Sequence, residues 1–111
     1  MDAINVVVVR GIISGEPQVR ELPGGGSVTQ FDISTRVDGR ASSVPVSVPD
    51  AASRPADGDE VVIIGHVHRR FFRAGGTTQS RTEVVAEHVV PARRTATVRR
   101  RIGAVIAGLG T

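Results

Sequence analysis

Several residue types are missing from this sequence, and each absence limits the chemistry open to the protein. There is no cysteine, which excludes disulfides, thiol chemistry and cysteine-based metal sites. There is no tryptophan or tyrosine, so three phenylalanines are the only aromatic residues. No apolar run approaches the roughly 20 residues of a membrane-spanning helix, and Asp2 stands where a secretion signal carries positive charge. We therefore expect a cytoplasmic protein without membrane contact.

Lysine is also absent, since all 14 basic residues are arginine. Their distribution is uneven. Residues 1–91 carry 9 arginines and 11 acids, whereas residues 92–111 carry 5 arginines and no acid. This contrast predicts a near-neutral domain over residues 1–91 and an Arg-rich amphipathic tail over residues 92–111. The net charge of +3 is by itself only a weak indication of nucleic-acid binding.

The hydrophobic pattern of residues 1–91 predicts five β-strands separated by turns. The predicted strands are Ile4–Ser14, Val28–Val37 with Phe31 in the core, Ser42–Pro49, Glu60–Phe72 and Ser80–Val90. Proline and glycine predict loops at Gly15–Ser27 and Arg73–Gln79, a hairpin turn at Asp38–Arg40, and a connector at Asp50–Asp59 with room for one helical turn. This order favours an all-β fold, a five-stranded Greek-key barrel of the OB type, over another small barrel or a sandwich.

The tail changes to a helical period. One helical face carries Val98, Ile102, Val105 or Ile106, and Leu109, with Thr95 as a candidate cap. Gly103 and Gly108 each weaken a helix by about 1 kcal/mol relative to alanine, so this helix needs a surface to pack on. The tail could add phosphate contacts, lie on an anionic membrane, or pack on the barrel or a second subunit. We favour packing.

An ordered set of short motifs runs through the predicted strands. Gly11, the stretch Glu16-Pro17-Gln18-Val19-Arg20, the turn Pro23-Gly24-Gly25 and Phe31 follow one another, and Gly58-Asp59, Gly65 and Thr-Glu-Val-Val-Ala at 82–86 continue the series. From Ile4 to Val90 this set resembles bacterial single-stranded DNA-binding proteins of the SSB type. The chain would be a divergent, short member, because the acidic C-terminal tip of that family is replaced by arginines.

The resemblance implies an OB fold, binding of single-stranded DNA without sequence preference, no cofactor, and assembly as a homo-oligomer, a dimer or tetramer. Replication or repair proteins would be further partners, though not through an acidic tip. The family stacks bases on an aromatic residue where the fourth strand meets its hairpin, which here is Phe72 with Phe71 beside it. Ser42 and Val48 stand where the family often has aromatics. These departures favour a paralogue, a mobile-element version or a derivative whose binding has drifted.

Two phenylalanines and four arginines are close in sequence near the second predicted loop. By strand phase Phe72 points outward with Arg70, and Phe71 points inward. Arginine suits phosphate contacts, so the candidate nucleic-acid-binding residues are Phe72, Arg70, Arg73, Phe71, Arg69, Arg81, Arg36, Arg40, Arg99 and Arg100. The alternatives are a solvated face paired with Glu83 or Glu87, and packing of Phe72 under the loop or in a subunit interface.

Other constellations are weak. His66 and His68 have a spacing that could hold a metal, but no cysteine or carboxylate cluster completes a site. Outward-facing Val62 and Ile64 indicate a buried oligomer face. No catalytic arrangement follows from the spacing, so we do not expect an enzyme. The leading hypothesis is binding of single-stranded DNA by base stacking and phosphate contacts. The alternative is an OB-fold assembly module, such as a primosome-type accessory, with weak or lost DNA binding.

Overall fold

The computed structural model describes residues 3–51 and 55–109. Its elements are β1 (Val7–Glu21), β2 (Ser27–Val37), β3 (Arg40–Pro49), β4 (Glu60–Ala74), β5 (Thr77–Pro91) and the helix α1 (Thr95–Leu109). The strands form a closed barrel in the order β1-β2-β3-β5-β4. Neighbouring strands are antiparallel except β3 and β5, which are parallel. The predicted five-stranded OB barrel is confirmed.

Alternate residues of the strands fill the barrel, as the period of two requires. Ile13, Ile33, Val46 and Ile63 are almost completely buried, and Phe31 is packed among them as predicted. Val37, on the same face of β2 as Phe31, is exposed because the end of β2 extends beyond the barrel. The core is therefore aliphatic, with one aromatic ring.

Strand β1 is longer than predicted. A loop was expected from Gly15, but β1 continues to Glu21 and pairs with β2 on both sides of an irregularity between Ser14 and Gln18. Gly15 has a φ of 92° within this bulge, a conformation that costs glycine little. Proline and glycine here mark a bent strand, and the loop prediction was wrong for residues 15–21.

The hairpin loop expected at Arg73–Gln79 is also shorter than predicted. Strand β4 runs to Ala74 and β5 begins at Thr77, which leaves a turn at Gly75 and Gly76. The turn predicted at Asp38–Arg40 is confirmed, since Asp38 and Gly39 both have positive φ, as a type I′ hairpin requires. The helical turn considered for Asp50–Asp59 falls partly on residues 52–54, outside the described residues.

Gly65 lies at a bulge between β4 and β5, where Ile64 is opposite His88 and Gly65 is opposite Ala86. A Cβ at Gly65 would collide with the carbonyl oxygen of Val85. A glycine is needed here because the backbone of β5 comes this close to β4.

The tail packs on the barrel of its own chain. Val98, with Ile102 and Val105 beside it, covers Val62 and Ile64 on the outer face of β4. The sequence-based assignment of Val62 and Ile64 to an oligomer face was therefore wrong, because α1 occupies that face. In the part of the chain that the structure describes, no helix has both the length and the apolar character needed to span a membrane.

The start of α1 also differs from the prediction. Thr95 is the first helical residue, and its hydroxyl donates to the carbonyl oxygen of Arg93 at 3.5 Å. The first helical hydrogen bond runs from the Val98 amide to the Arg94 carbonyl oxygen at 3.0 Å, which places Arg94 at the N-cap position. Thr95 is therefore not the cap.

Candidate nucleic-acid interface

Two hairpin arms project from one end of the barrel. Strands β3 and β5 touch only at the pairs Val46–Val84 and Ser47–Val85. Because this pairing is parallel, the earlier residues of both strands lie at the same end, each paired only with its hairpin partner. We call these hairpins the β2–β3 arm (34–43) and the β4–β5 arm (68–83). The strands can be predicted from patterns in the sequence, but the two arms lie together only because the barrel closes between β3 and β5.

Pro45 marks the point where the β2–β3 arm leaves the barrel. It pairs with Asp32 of β2 and directly precedes Val46, the first residue of β3 paired with β5. Proline has no N–H to donate, so it is tolerated at this open edge. Pro45 therefore lies where β3 has no partner on the side of β5.

Phe71 and Phe72 lie on opposite faces of the β4–β5 arm, and both are exposed, at 67% and 38% of their area. The guanidinium carbon of Arg69 lies 5.2 Å from the centroid of Phe71, and that of Arg70 lies 5.6 Å from the centroid of Phe72. Each ring therefore makes a cation–π contact with the arginine two residues before it. The expectation that Phe71 points into the core was wrong, because the arm has left the barrel at this point and both of its faces meet solvent at Phe71 and Phe72.

The arginines of this arm fall into two groups. Arg69 donates from Nη2 to the Ser80 hydroxyl at 2.9 Å, and Arg73 donates from Nη2 to the Gly76 carbonyl oxygen at 2.7 Å. Both of these partners are neutral, and among the described residues neither arginine pairs with a carboxylate. Arg70 and Arg81 instead share the carboxylate of Glu83, at 3.4 Å and 3.9 Å. The alternative of pairing with an acid thus holds for these two arginines.

The β2–β3 arm contributes two further candidates. Arg36 donates from Nη1 to the Gly39 carbonyl oxygen at 2.8 Å, and this bond braces the turn. Arg40 is exposed opposite Val37 at the start of β3. Both arginines lie at the same end of the barrel as the β4–β5 arm.

Arg99 and Arg100 lie elsewhere. They are exposed on α1, which begins after the opposite end of β5 and packs on the outer face of β4. The structure therefore places neither of them on an arm. Sequence reasoning missed a cleft of about 600 Å³ that lies between α1, β5, the end of β3 and the start of β4. Its lining combines basic and acidic residues: Arg93, Arg94, Arg101, His88, Asp50, Asp59, Glu60 and Glu87. No pattern in the sequence indicated this cleft, because the packing of α1 creates it.

The histidines considered for a metal do not meet in a cluster. His66 pairs through Nδ1 with Glu87 at 3.4 Å, and His68 lies opposite Glu83 on the next strand. Over residues 3–51 and 55–109, no group of three or more metal-ligating side chains comes together.

Glu83 is a candidate functional residue that the sequence did not single out. It is a candidate because it is a buried acid beside two arginines. An acid within an alternating strand gives no sign of being buried.

Comparison with known proteins adds a fold relationship. No family model matches this sequence, and no curated protein matches it. Among solved structures, the Plasmodium falciparum SSB complex with ssDNA matches with a TM-score of 0.69 and 17% sequence identity, over 82% of this chain and 97% of that chain. At this identity the likeness concerns the course of the backbone. The chain has the OB fold seen in that structure.

Proposed function

We propose that this protein binds single-stranded DNA without sequence preference, through the β4–β5 arm. The observation that carries the proposal is the exposure of Phe71 and Phe72 on an arm that also bears four arginines. The chain has three phenylalanines and buries only one of them. Exposed apolar rings among charges are typical of a surface that receives flat, partly apolar groups.

Each ring offers a face for base stacking. An arginine lies over one face of Phe71 and of Phe72, and a base would stack on the part of each ring that is exposed to solvent. A base stacked on an aromatic side chain contributes about 1–3 kcal/mol, and any base can do so because every base has a π-face. Stacking of this kind accounts for binding without sequence preference.

Charge supports the same surface. Within residues 3–51 and 55–109, Arg69 and Arg73 have no acidic partner, and Arg36 and Arg40 lie at the same end of the barrel. Arginine binds phosphate through planar, bidentate contacts. For a single strand, each phosphate neutralised adds about 0.7 to the slope of log K against log salt concentration. The P. falciparum SSB, whose fold this chain shares, was solved in complex with ssDNA, and this shared fold supports the proposal.

The remaining parts of the proposal rest on the sequence. Assembly as a dimer or tetramer and action beside replication or repair proteins come from the resemblance to SSB-type proteins, and a cytoplasmic location comes from the composition of the chain. These stay predictions, as does phosphate contact by Arg99 and Arg100 of the helix.

The proposal is tested by fluorescence polarisation of a labelled oligo-dT strand titrated with protein at several salt concentrations. We expect binding that weakens steeply with salt. Phe71→Ala should weaken it by about 5- to 150-fold, the loss of one stacked base. Phe71→Leu should lose most of this as well, since leucine keeps apolar bulk but has no π-face. The matched control is Ile106→Ala on α1, because Ile106 is 64% exposed against 67% for Phe71.

Two results would contradict the proposal. One is the absence of binding at low salt by a protein that is folded by circular dichroism. The other is binding that Phe71→Ala leaves unchanged, because the exposed ring would then take no part. An OB barrel that acts only in assembly would give the first result.

A further inference from the structure

Two arginines stand directly opposite each other on the β4–β5 arm. Arg70 of β4 and Arg81 of β5 are register partners, so their side chains leave the same face. Like charges in this position repel each other and destabilise a sheet. Glu83, two residues after Arg81 on the same face, lies between them. Its Oε1 is 3.4 Å from Nε of Arg70, and its Oε2 is 3.9 Å from Nε of Arg81.

The carboxylate is buried while the two arginines are partly exposed. The side chain of Glu83 is 5% exposed, against 36% for Arg70 and 42% for Arg81. Nε of Arg70 and Oε2 of Glu83 are both buried without a hydrogen-bond partner. A buried carboxylate is costly unless cations compensate it, so these two arginines hold the charge of Glu83 in place.

The contact atoms show which part of each guanidinium group is used. Both ion pairs are made through Nε, the inner nitrogen. Arg69 and Arg73 use their terminal Nη2 atoms for hydrogen bonds within the arm. Within the described residues, Arg70 and Arg81 donate no hydrogen bond from a terminal nitrogen. Their outer donors remain for a ligand.

We propose that Glu83 is a positioning residue, which holds Arg70 and Arg81 side by side so that their terminal nitrogens form a clamp for one phosphodiester group. The ligand class is the backbone of a single nucleic-acid strand, and the inference rests on the proposed function. Arg70 also lies over the ring of Phe72, at 5.6 Å from its centroid. The clamp therefore stands beside the ring on which a base would stack.

The direction in which Glu83→Gln changes DNA affinity distinguishes a positioning role of Glu83 from simple repulsion between its charge and the DNA. A carboxylate on a DNA-binding surface repels phosphate, so its neutralisation ordinarily strengthens binding. The clamp requires the opposite for Glu83→Gln, because the two arginines lose the charge that orients them. We expect about tenfold weaker binding of oligo-dT, the equivalent of one net hydrogen bond. The control is Glu87→Gln, an acid of the same strand that is paired with His66 and 60% exposed. It should bind at least as tightly as the wild type.

A further comparison tests whether Glu83 acts through the two arginines. In a protein that already carries Arg70→Ala and Arg81→Ala, the added change Glu83→Gln should not weaken binding further, because no arginine is left to orient. Arg70→Lys with Arg81→Lys tests the clamp without touching the buried acid, and we expect about tenfold weaker binding since lysine has no planar fork. This second variant decides the question if Glu83→Gln does not fold. Thermal unfolding by circular dichroism shows which variants are folded.

The outcomes separate the clamp from the proposed function. If the folded wild type does not bind oligo-dT, both are overturned. If the wild type binds and loses affinity with Phe71→Ala, but Glu83→Gln or the double lysine variant binds as tightly as the wild type, only the clamp is overturned. A loss with Glu83→Gln that persists without Arg70 and Arg81 also overturns it, because the acid would then act through another group.

Discussion

Replacement of Gly65 by alanine tests the most crowded point of the barrel. The added Cβ would meet the carbonyl oxygen of Val85, with the Val85 carbonyl carbon at 2.8 Å and the Ala86 Cα at 3.0 Å. These are backbone atoms at a bulge, so they cannot rotate away as a flexible side chain could. Gly65 has no positive φ, and the cost is therefore steric. Overpacking of this kind destabilises by about 1–3 kcal/mol.

The assay is thermal unfolding by circular dichroism, with Gly103→Ala as the matched control. For a domain of this size, about 1–3 kcal/mol corresponds to a melting temperature lowered by about 4–12 °C. Gly103 lies in α1, where an added methyl group would have nothing within 4 Å, so the same substitution there should stabilise by about 1 kcal/mol. If Gly65→Ala melts at or above the wild-type temperature, the close approach of Val85 to β4 is refuted.

Two further predictions concern contacts that the tertiary structure creates. Val98→Ala should lower the free energy of unfolding in urea by about 1.6 kcal/mol, because two methyl groups leave the cluster over Val62. Ile106→Ala on the exposed side of α1 should change it little, and equal effects would contradict the packing of α1. Asn5→Ala removes both hydrogen bonds between the Asn5 side chain and the main chain of Val67, at 2.8 and 2.9 Å. The amide hydrogen of Val67 should then exchange with solvent about tenfold faster, and an unchanged exchange rate would contradict this pairing.

Much of the barrel could be predicted because its signals are local. The alternation that buries Phe31 in β2, and the positive-φ turn at Asp38-Gly39, are properties of short segments. The predicted strand boundaries were wrong where the same residues are compatible with either a loop or a bent strand. Proline and glycine from Gly15 onwards indicated a loop, but in a closed barrel they allow β1 to bend and continue to Glu21.

The candidate site was predicted in its residue types and only partly in its geometry. Phe71 and Phe72 were singled out by their neighbours in sequence, yet the burial expected for Phe71 assumed that β4 stays within the barrel. The strand leaves it, so both rings meet solvent. Glu83 was weighed only as a surface partner for arginines. In the structure its side chain is only 5% exposed and pairs with Arg70 and Arg81, which alternation along one strand does not reveal.

The sequence by itself determined the strand count, the core face of β2, the hairpin turn at Asp38-Gly39 and the concentration of arginine in the tail, because these depend on residues close together along the chain. Tertiary structure alone decided three other matters. Parallel contact of β3 with β5 placed two arms at one end of the barrel. Packing of α1 removed Val62 and Ile64 from the surface. The pairing of β4 with β5 set Arg70 opposite Arg81 and brought Arg70 of one strand to Glu83 of the other, a contact that the pattern along either strand does not reveal.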